Sequence, residues 1–394
     1  MSVTTANTYK ALTEETAINL AISKGLFQPN SILSCEEIGD GNLNLVFRIK
    51  DSQSGKSIII KQALPYAKVV GESWPLTLHR ATIEAEALKI SAKICPDYVP
   101  EVYFSDDVLA VTIMEDLSHL SIARTGFLNG ETYPLISQHL GEFLAKTLFY
   151  TSDYGLGASD KKEWARKFIN PELCKITEDL IFTDPFYDSS NNSFEEGLRK
   201  DVEELWNDEE LKFHASILKK SFLTEAEVLL HGDLHTGSVF ASPKETKVID
   251  PEFAFYGPAG FDIGQVIANL AFQVVVNEKE RNTFIQHIET VWKVFVKEFS
   301  RLWKEENKEP FAVSDEFSNY ILEKYFSDSL GFAGCELIRR TVGLAHVADL
   351  DSISEDERRL SAKRKTLELG KNLIKERSSI KSIEQLSQQL RELL

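Results

Sequence analysis

No stretch of this sequence reaches the roughly 18 consecutive apolar residues that cross a bilayer, and its opening MSVTTANTYK lacks the basic-then-apolar layout of a secretory signal. No membrane partner and a cytoplasmic location are the expectations. Cysteine is scarce, with 4 in 394 residues, and Cys35, Cys95, Cys174 and Cys335 lie too far apart for any CxxC pair. That spacing excludes a zinc knuckle and a disulfide framework and leaves buried free thiols. Basic residues are outnumbered, 44 against 61 acidic, and the formal net charge of -17 repels polyanions. Nucleic acid is therefore not an expected partner, and any anionic ligand must be held by a local site. Pro- or Gly-rich linkers, internal repeats and low-complexity tracts are also missing.

What is present is an ordinary globular composition, 43% hydrophobic and 27% charged, long enough for two lobes. The segment 13–24 carries apolar residues at helical spacing with Thr13 as N-cap and Glu14 and Glu15 in the first turn. From Glu36 the texture becomes β-rich: EEIGDGNLNLVFRI, the turn DSQSGK, then SIIIKQA. RATIEAEALKISAK predicts a helix over 80–93, and VPEVYFSDD with VLAVTIMEDL predicts further strands. Residues 1–115 thus form a small mixed lobe. Residues 116–394 are mostly helical, with amphipathic stretches over 135–150, 192–220, 261–276, 278–304 and 315–335 and docked terminal helices beyond 355. The expected fold class is α+β, with a small antiparallel-sheet N-lobe and a larger helical C-lobe.

HGDLHTGSVF, residues 231–240, and IDPEF, residues 249–253, concentrate chemistry on short β segments. His231, Asp233 and His235 in an HxDxH pattern suit zinc, whose favoured ligands include imidazole. The rival reading frees Asp233 as a base and gives Mg²⁺ to Asp250 and Glu252, whose oxygens suit a hard cation. A bracing role for His231, and an exposed loop position for His235, are the plainer alternatives.

The N-terminal lobe separates these readings. The loop Gly39, Asp40, Gly41, Asn42 can bend over phosphates and offer backbone N–H groups, although an ordinary hairpin turn accounts for it equally well. Lys61 is the charged residue in the apolar strand IIIKQA, where an unpaired ammonium is costly. Its partner comes from the next helix, Glu84 in preference to Glu86. Met114, Glu115 and Leu117 end a strand at the lobe boundary, where backbone groups can meet an adenine edge. Glycine loop, strand lysine, helix glutamate, base-bearing loop and metal carboxylates follow the order of a two-lobed phosphotransferase, of which zinc hydrolysis explains only one piece.

Taken with IGDGNLNLVFRI, GESWPLTLHRATIEAEAL, VTIMEDL and CELIRRTVGLAHVADL, these segments resemble the 5-methylthioribose kinase family, a branch of the protein-kinase-like fold shared with aminoglycoside and choline kinases. The resemblance spans nearly the whole chain. It implies ATP and Mg²⁺ as cofactors, a sugar as substrate, a place in methionine salvage and a homodimer. It implies Asp233 as catalytic base that also binds substrate, Lys61 as a phosphate contact, and Asp250 and Glu252 as magnesium ligands. Ser238 stands where a protein kinase carries a metal-binding Asn, so a magnesium role for its hydroxyl is open. Arg339 and Arg340, which as neighbours on a helix read as solvent-facing, become a substrate and transition-state clamp by this resemblance. Trp74 becomes part of a lid over the substrate, where core packing is the plain alternative. Another small hydroxyl compound, such as an aminoglycoside, choline or homoserine, is the rival substrate.

Overall fold

The computed structural model describes residues 8–38, 43–67, 71–312 and 314–393. The glycine loop of Gly39, Asp40, Gly41 and Asn42 lies outside the described residues, and so does the side chain of Trp74. The chain divides into two compact units, Met1–Leu120 with Ile249–Phe253, and Ser121–Val248 with Ala254–Leu394. The expected boundary at 115/116 therefore shifts, and the IDPEF segment groups with the first unit rather than with the helical one. Its physical tie is the side chain of Glu252, which bonds to Arg80 and Asn44.

The first unit is an antiparallel sheet in the order Leu33–Glu37, Asn44–Asp51, Ser57–Ala63, Val111–Glu115, Val102–Asp106. Alternation explains its two faces. Ile58 and Ile60 are fully buried with Phe47, Ile49, Val111 and Ile113 against Ala17, Ala21 and Phe27, each aliphatic side chain stabilising by ~1.5–3 kcal/mol. The intervening Ile59 and Lys61 point to the other face, which the helix His79–Ile94 covers. Lys61 stands in register between Val46 and Thr112 on the neighbouring strands. The leading helix runs Glu14–Ser23, and Thr13 caps it by accepting the Thr16 N–H.

In the second unit the helix Asp315–Val342 packs against Gly260–Val276 and Asp356–Glu376. Gly264 permits the first of these approaches, because a Cβ there would stand 2.6 Å from the Ser329 carbonyl oxygen. The stretch expected as one helix over 192–220 is broken. Asp208 accepts the Leu211 N–H and starts a second helix, Glu209–Thr224, after Arg199–Trp206 has ended. Among the described residues no helix is long and apolar enough to cross a membrane.

Candidate active site

The strand Val228–Leu229 pairs antiparallel with Tyr256–Gly257, and the chain then turns sharply into His231, Gly232 and Asp233. Gly232 has φ 84, a left-handed conformation that a side chain would strain. Asp262, in the first turn of Gly260–Val276, holds that turn from beneath. Its two carboxylate oxygens accept the N–H groups of His231 at 2.6 Å and Gly232 at 3.1 Å. Burial raises the proton affinity of Asp262, and His231 with these N–H groups opposes that rise. The Asp233 N–H donates to His231 Nδ1 at 3.3 Å, so His231 braces the backbone.

His235 is only 18% exposed and is not a free loop residue. Its Nδ1 accepts the Gly237 N–H at 3.0 Å, capping the short turn Thr236–Ser238. The ring proton of the neutral form therefore belongs on Nε2, which stands 3.5 Å from Asp233 Oδ2. The zinc reading fails on this geometry, since a backbone N–H engages Nδ1 of each histidine. Ser238 is buried, and its Oγ accepts the His235 N–H at 3.0 Å while lying 2.9 Å from the His235 carbonyl and 3.2 Å from that of Asp233. These bonds within its own turn compete with the magnesium role expected of the Ser238 hydroxyl.

Asp233 itself is 31% exposed. Arg339 Nη2 and Arg340 Nη2 stand 3.6 and 3.9 Å from its Oδ1. Burial opposes its charge, but His235, Arg340 and Arg339 hold its carboxyl well below the usual range. His235 is itself pushed down by burial, with Asp233 opposing. Both arginines are buried, against the expectation that neighbours on a helix diverge to solvent. They meet on Glu336, one turn earlier. Arg124, also mostly buried, pairs with Asp349 at 3.1 Å and donates to Asn269 at 2.7 Å. An ionised carboxylate flanked by guanidinium groups can orient a hydroxyl, take its proton and hold an anionic group beside it.

In the first unit Lys61 Nζ donates to Glu84 at 2.8 Å and also to Asp250. Burial works against the lysine's charge, and Asp250, Glu84 and Glu252 together raise its proton affinity far above the ordinary value. Glu86 is turned away, to Lys89. Glu84 is pushed up by burial, with Lys61 opposing. Asp250 is 42% exposed and, although not glycine, has φ 70; such backbone is sparsely populated and concentrates at functional positions. Glu252 is buried, and its Oε2 accepts from Arg80 at 2.8 Å and Asn44 at 3.5 Å. Met114 and Leu117 are buried at the strand end, and Glu115 accepts the Glu101 N–H at 3.2 Å.

Hard oxygen donors on Asp250 and Glu252 fit a magnesium ion. Such an ion takes one or two protein carboxylates and completes its shell with phosphate and water rather than with an all-protein cage.

Sequence reasoning missed Asp262, Arg80, Glu336, Arg124 and Asp349. Asp262, Arg80, Arg124 and Asp349 find partners that are distant in sequence or are backbone groups, Glu336 pairs with its near neighbours Arg339 and Arg340, and a charged residue within a helical pattern reads as solvated.

A model of the phosphotransferase enzyme family matches residues 34–293. Among solved structures, the ethanolamine kinase of Plasmodium vivax aligns with a TM-score of 0.49 and 14% identity, over 91% of this chain and 89% of that one. The methylthioribose kinase of Geobacillus sp. (strain WCH70) is 58% identical over 98% of this chain and 97% of its own length. That of Geobacillus thermodenitrificans is 57% identical over the same shares. The chain therefore belongs to the methylthioribose kinase family of phosphotransferases, which have the protein-kinase-like fold.

Proposed function

We propose that this enzyme transfers the γ-phosphoryl group of ATP to the anomeric hydroxyl of 5-methylthioribose, releasing ADP and 5-methylthioribose 1-phosphate. Relatives named for this sugar, 57–58% identical over nearly the full length, support the substrate. The observation that carries the chemistry is the ionised Asp233 flanked by Arg339 and Arg340.

In the reaction the anomeric oxygen attacks the γ-phosphorus as the bond to the β–γ bridging oxygen breaks, and the hydroxyl proton passes to Asp233. Asp233 first accepts the sugar hydroxyl as a hydrogen bond and so aims a lone pair at phosphorus. Asp233, ionised before the reaction, then receives the hydroxyl proton as the phosphoryl group moves. Arg339 and Arg340 bind the oxygens of the transferring group, where charge is spread in the transition state. Lys61, fixed by Glu84, contacts the nucleotide phosphates. Magnesium, held by Asp250 and Glu252, would neutralise phosphate charge.

The family resemblance supports further assignments. Backbone at Met114, Glu115 and Leu117 takes the adenine, the loop of Gly39, Asp40, Gly41 and Asn42 covers the phosphates, and Trp74 closes over the sugar. It likewise supports a cytoplasmic homodimer acting in methionine salvage.

Incubation with ATP, Mg²⁺ and a panel of 5-methylthioribose, choline, homoserine and an aminoglycoside tests the proposal through ADP release and ³¹P NMR of the product. An anomeric phosphate on methylthioribose is expected; turnover confined to another acceptor overturns the substrate.

A further inference from the structure

Glu336 is completely buried on the helix Asp315–Val342, where the sequence gives it no role. Its Oε2 accepts from Arg339 Nε at 2.6 Å and its Oε1 from Arg340 Nε at 2.8 Å. Adjacent side chains on an α-helix diverge by about 100°, while positions i+3 and i+4 flank position i on one face. A carboxylate at 336 is therefore placed to draw both guanidinium groups onto that face. Each arginine spends its Nε on the carboxylate, and the Nη2 atoms of both stand near the same oxygen of Asp233, at 3.6 and 3.9 Å. Glu336 also separates the repulsion between the pair: Arg340 beside Arg339 lowers the latter's proton affinity, after burial, and Glu336 opposes that loss.

We propose that Glu336 is the positioning residue of the arginine pair, fixing each guanidinium through its Nε so that the Nη groups stay aimed at the transferring phosphoryl group. This rests on the reading above that Arg339 and Arg340 act on that group. Three features separate positioning from mere charge balance: the bonds use Nε, they need both carboxylate oxygens, and they depend on the length of the glutamate side chain.

The test is steady-state kinetics with ATP and 5-methylthioribose, with melting temperature and near-UV circular dichroism as checks on folding. Glu336→Gln keeps the shape but can accept from only one arginine through its single amide oxygen, and kcat should fall by about 10- to 100-fold with the KM for ATP unchanged. Glu336→Asp keeps the charge on a shorter stem and should also lower kcat. Arg340→Lys and Arg339→Lys leave Glu336 intact and keep the positive charge without an Nε–H. They keep the test valid if position 336 does not tolerate change, and should lose kcat nearly as far as Arg→Gln at each site. In the double variant Glu336→Gln/Arg340→Gln the losses should be clearly less than multiplicative, because both act through one group. Wild-type kcat in a folded Glu336→Gln, fully multiplicative losses, or full activity with lysine at both sites overturns the proposal. Near-normal turnover in Arg339→Gln and Arg340→Gln instead overturns the arginine clamp on which it rests.

Discussion

Arg80 Nη1 donates to Glu252 Oε2 at 2.8 Å, joining residues 172 positions apart inside the first unit. Arg80 is fully buried; Nη1 also donates to Asn44 Oδ1 and Nη2 to the carbonyl oxygens of Leu43 and Leu64, while Nε makes no hydrogen bond among the described residues. One guanidinium thus fixes a proposed metal carboxylate and the strand that follows the glycine loop. Arg80→Met would leave Glu252 buried without its cation, and should cost ~3–5 kcal/mol in urea unfolding. Arg80→Lys should recover only part, because an ammonium lacks the planar fork that spans these acceptors. Stability unchanged in Arg80→Met would show that the pair contributes nothing.

Magnesium activation separates Glu252 from Ser238. Glu252→Gln should raise the Mg²⁺ concentration needed for half-maximal activity, since a neutral amide is the poorer ligand for a hard cation. Ser238→Ala should leave that concentration unchanged and cost about 1 kcal/mol of stability through the lost turn bonds. A raised magnesium requirement in Ser238→Ala would show that its hydroxyl is a magnesium ligand.

Glu195 gives a pH signature outside the site. It accepts from Arg359 Nε and Nη2, each at 3.0 Å, and from Lys363 at 2.7 Å. The hydrogen bonds from Arg359 are the main cause, with Lys363 adding, that its carboxyl is held down to about 2. A depressed folded pKa contributes stability above the unfolded value of about 4.3, and that contribution disappears as pH falls through the folded value. Wild type should therefore exceed Glu195→Gln in urea midpoint at pH 7, with the gap closing between about pH 4 and pH 2. A gap that stays constant with pH would show that the charge is irrelevant.

Much of the architecture is legible without coordinates, because period-two alternation in SIIIKQA and helical periodicity in the second half report burial directly. The same alternation singles out Lys61, a cation among isoleucines, and the chemistry of carboxylates in HGD and DPE is plain from their types. What stays hidden has physical causes. Asp262 acts by holding the backbone N–H groups of His231 and Gly232, which no spacing rule announces, whereas the Glu336 pairs with Arg339 and Arg340 follow helical i+3 and i+4 spacing and only their burial stays hidden. The left-handed backbone of Asp250 depends on tertiary packing, since local preference at an aspartate does not require it. Ser238 is ambiguous because its hydroxyl can serve either a metal or a turn, and its turn bonds to His235 and Asp233 depend on the folded loop. Asp208 could have been found: an aspartate followed by Glu-Glu inside an amphipathic stretch is a helix-start signal.

The central claim is that Asp233 receives the hydroxyl of the acceptor, and turnover by Asp233→Asn tests it most directly. The asparagine keeps the shape of the loop but loses the charge, so kcat should drop by at least ~10²-fold while ATP binding by calorimetry is retained. Near-normal kcat with methylthioribose in that variant would contradict the account.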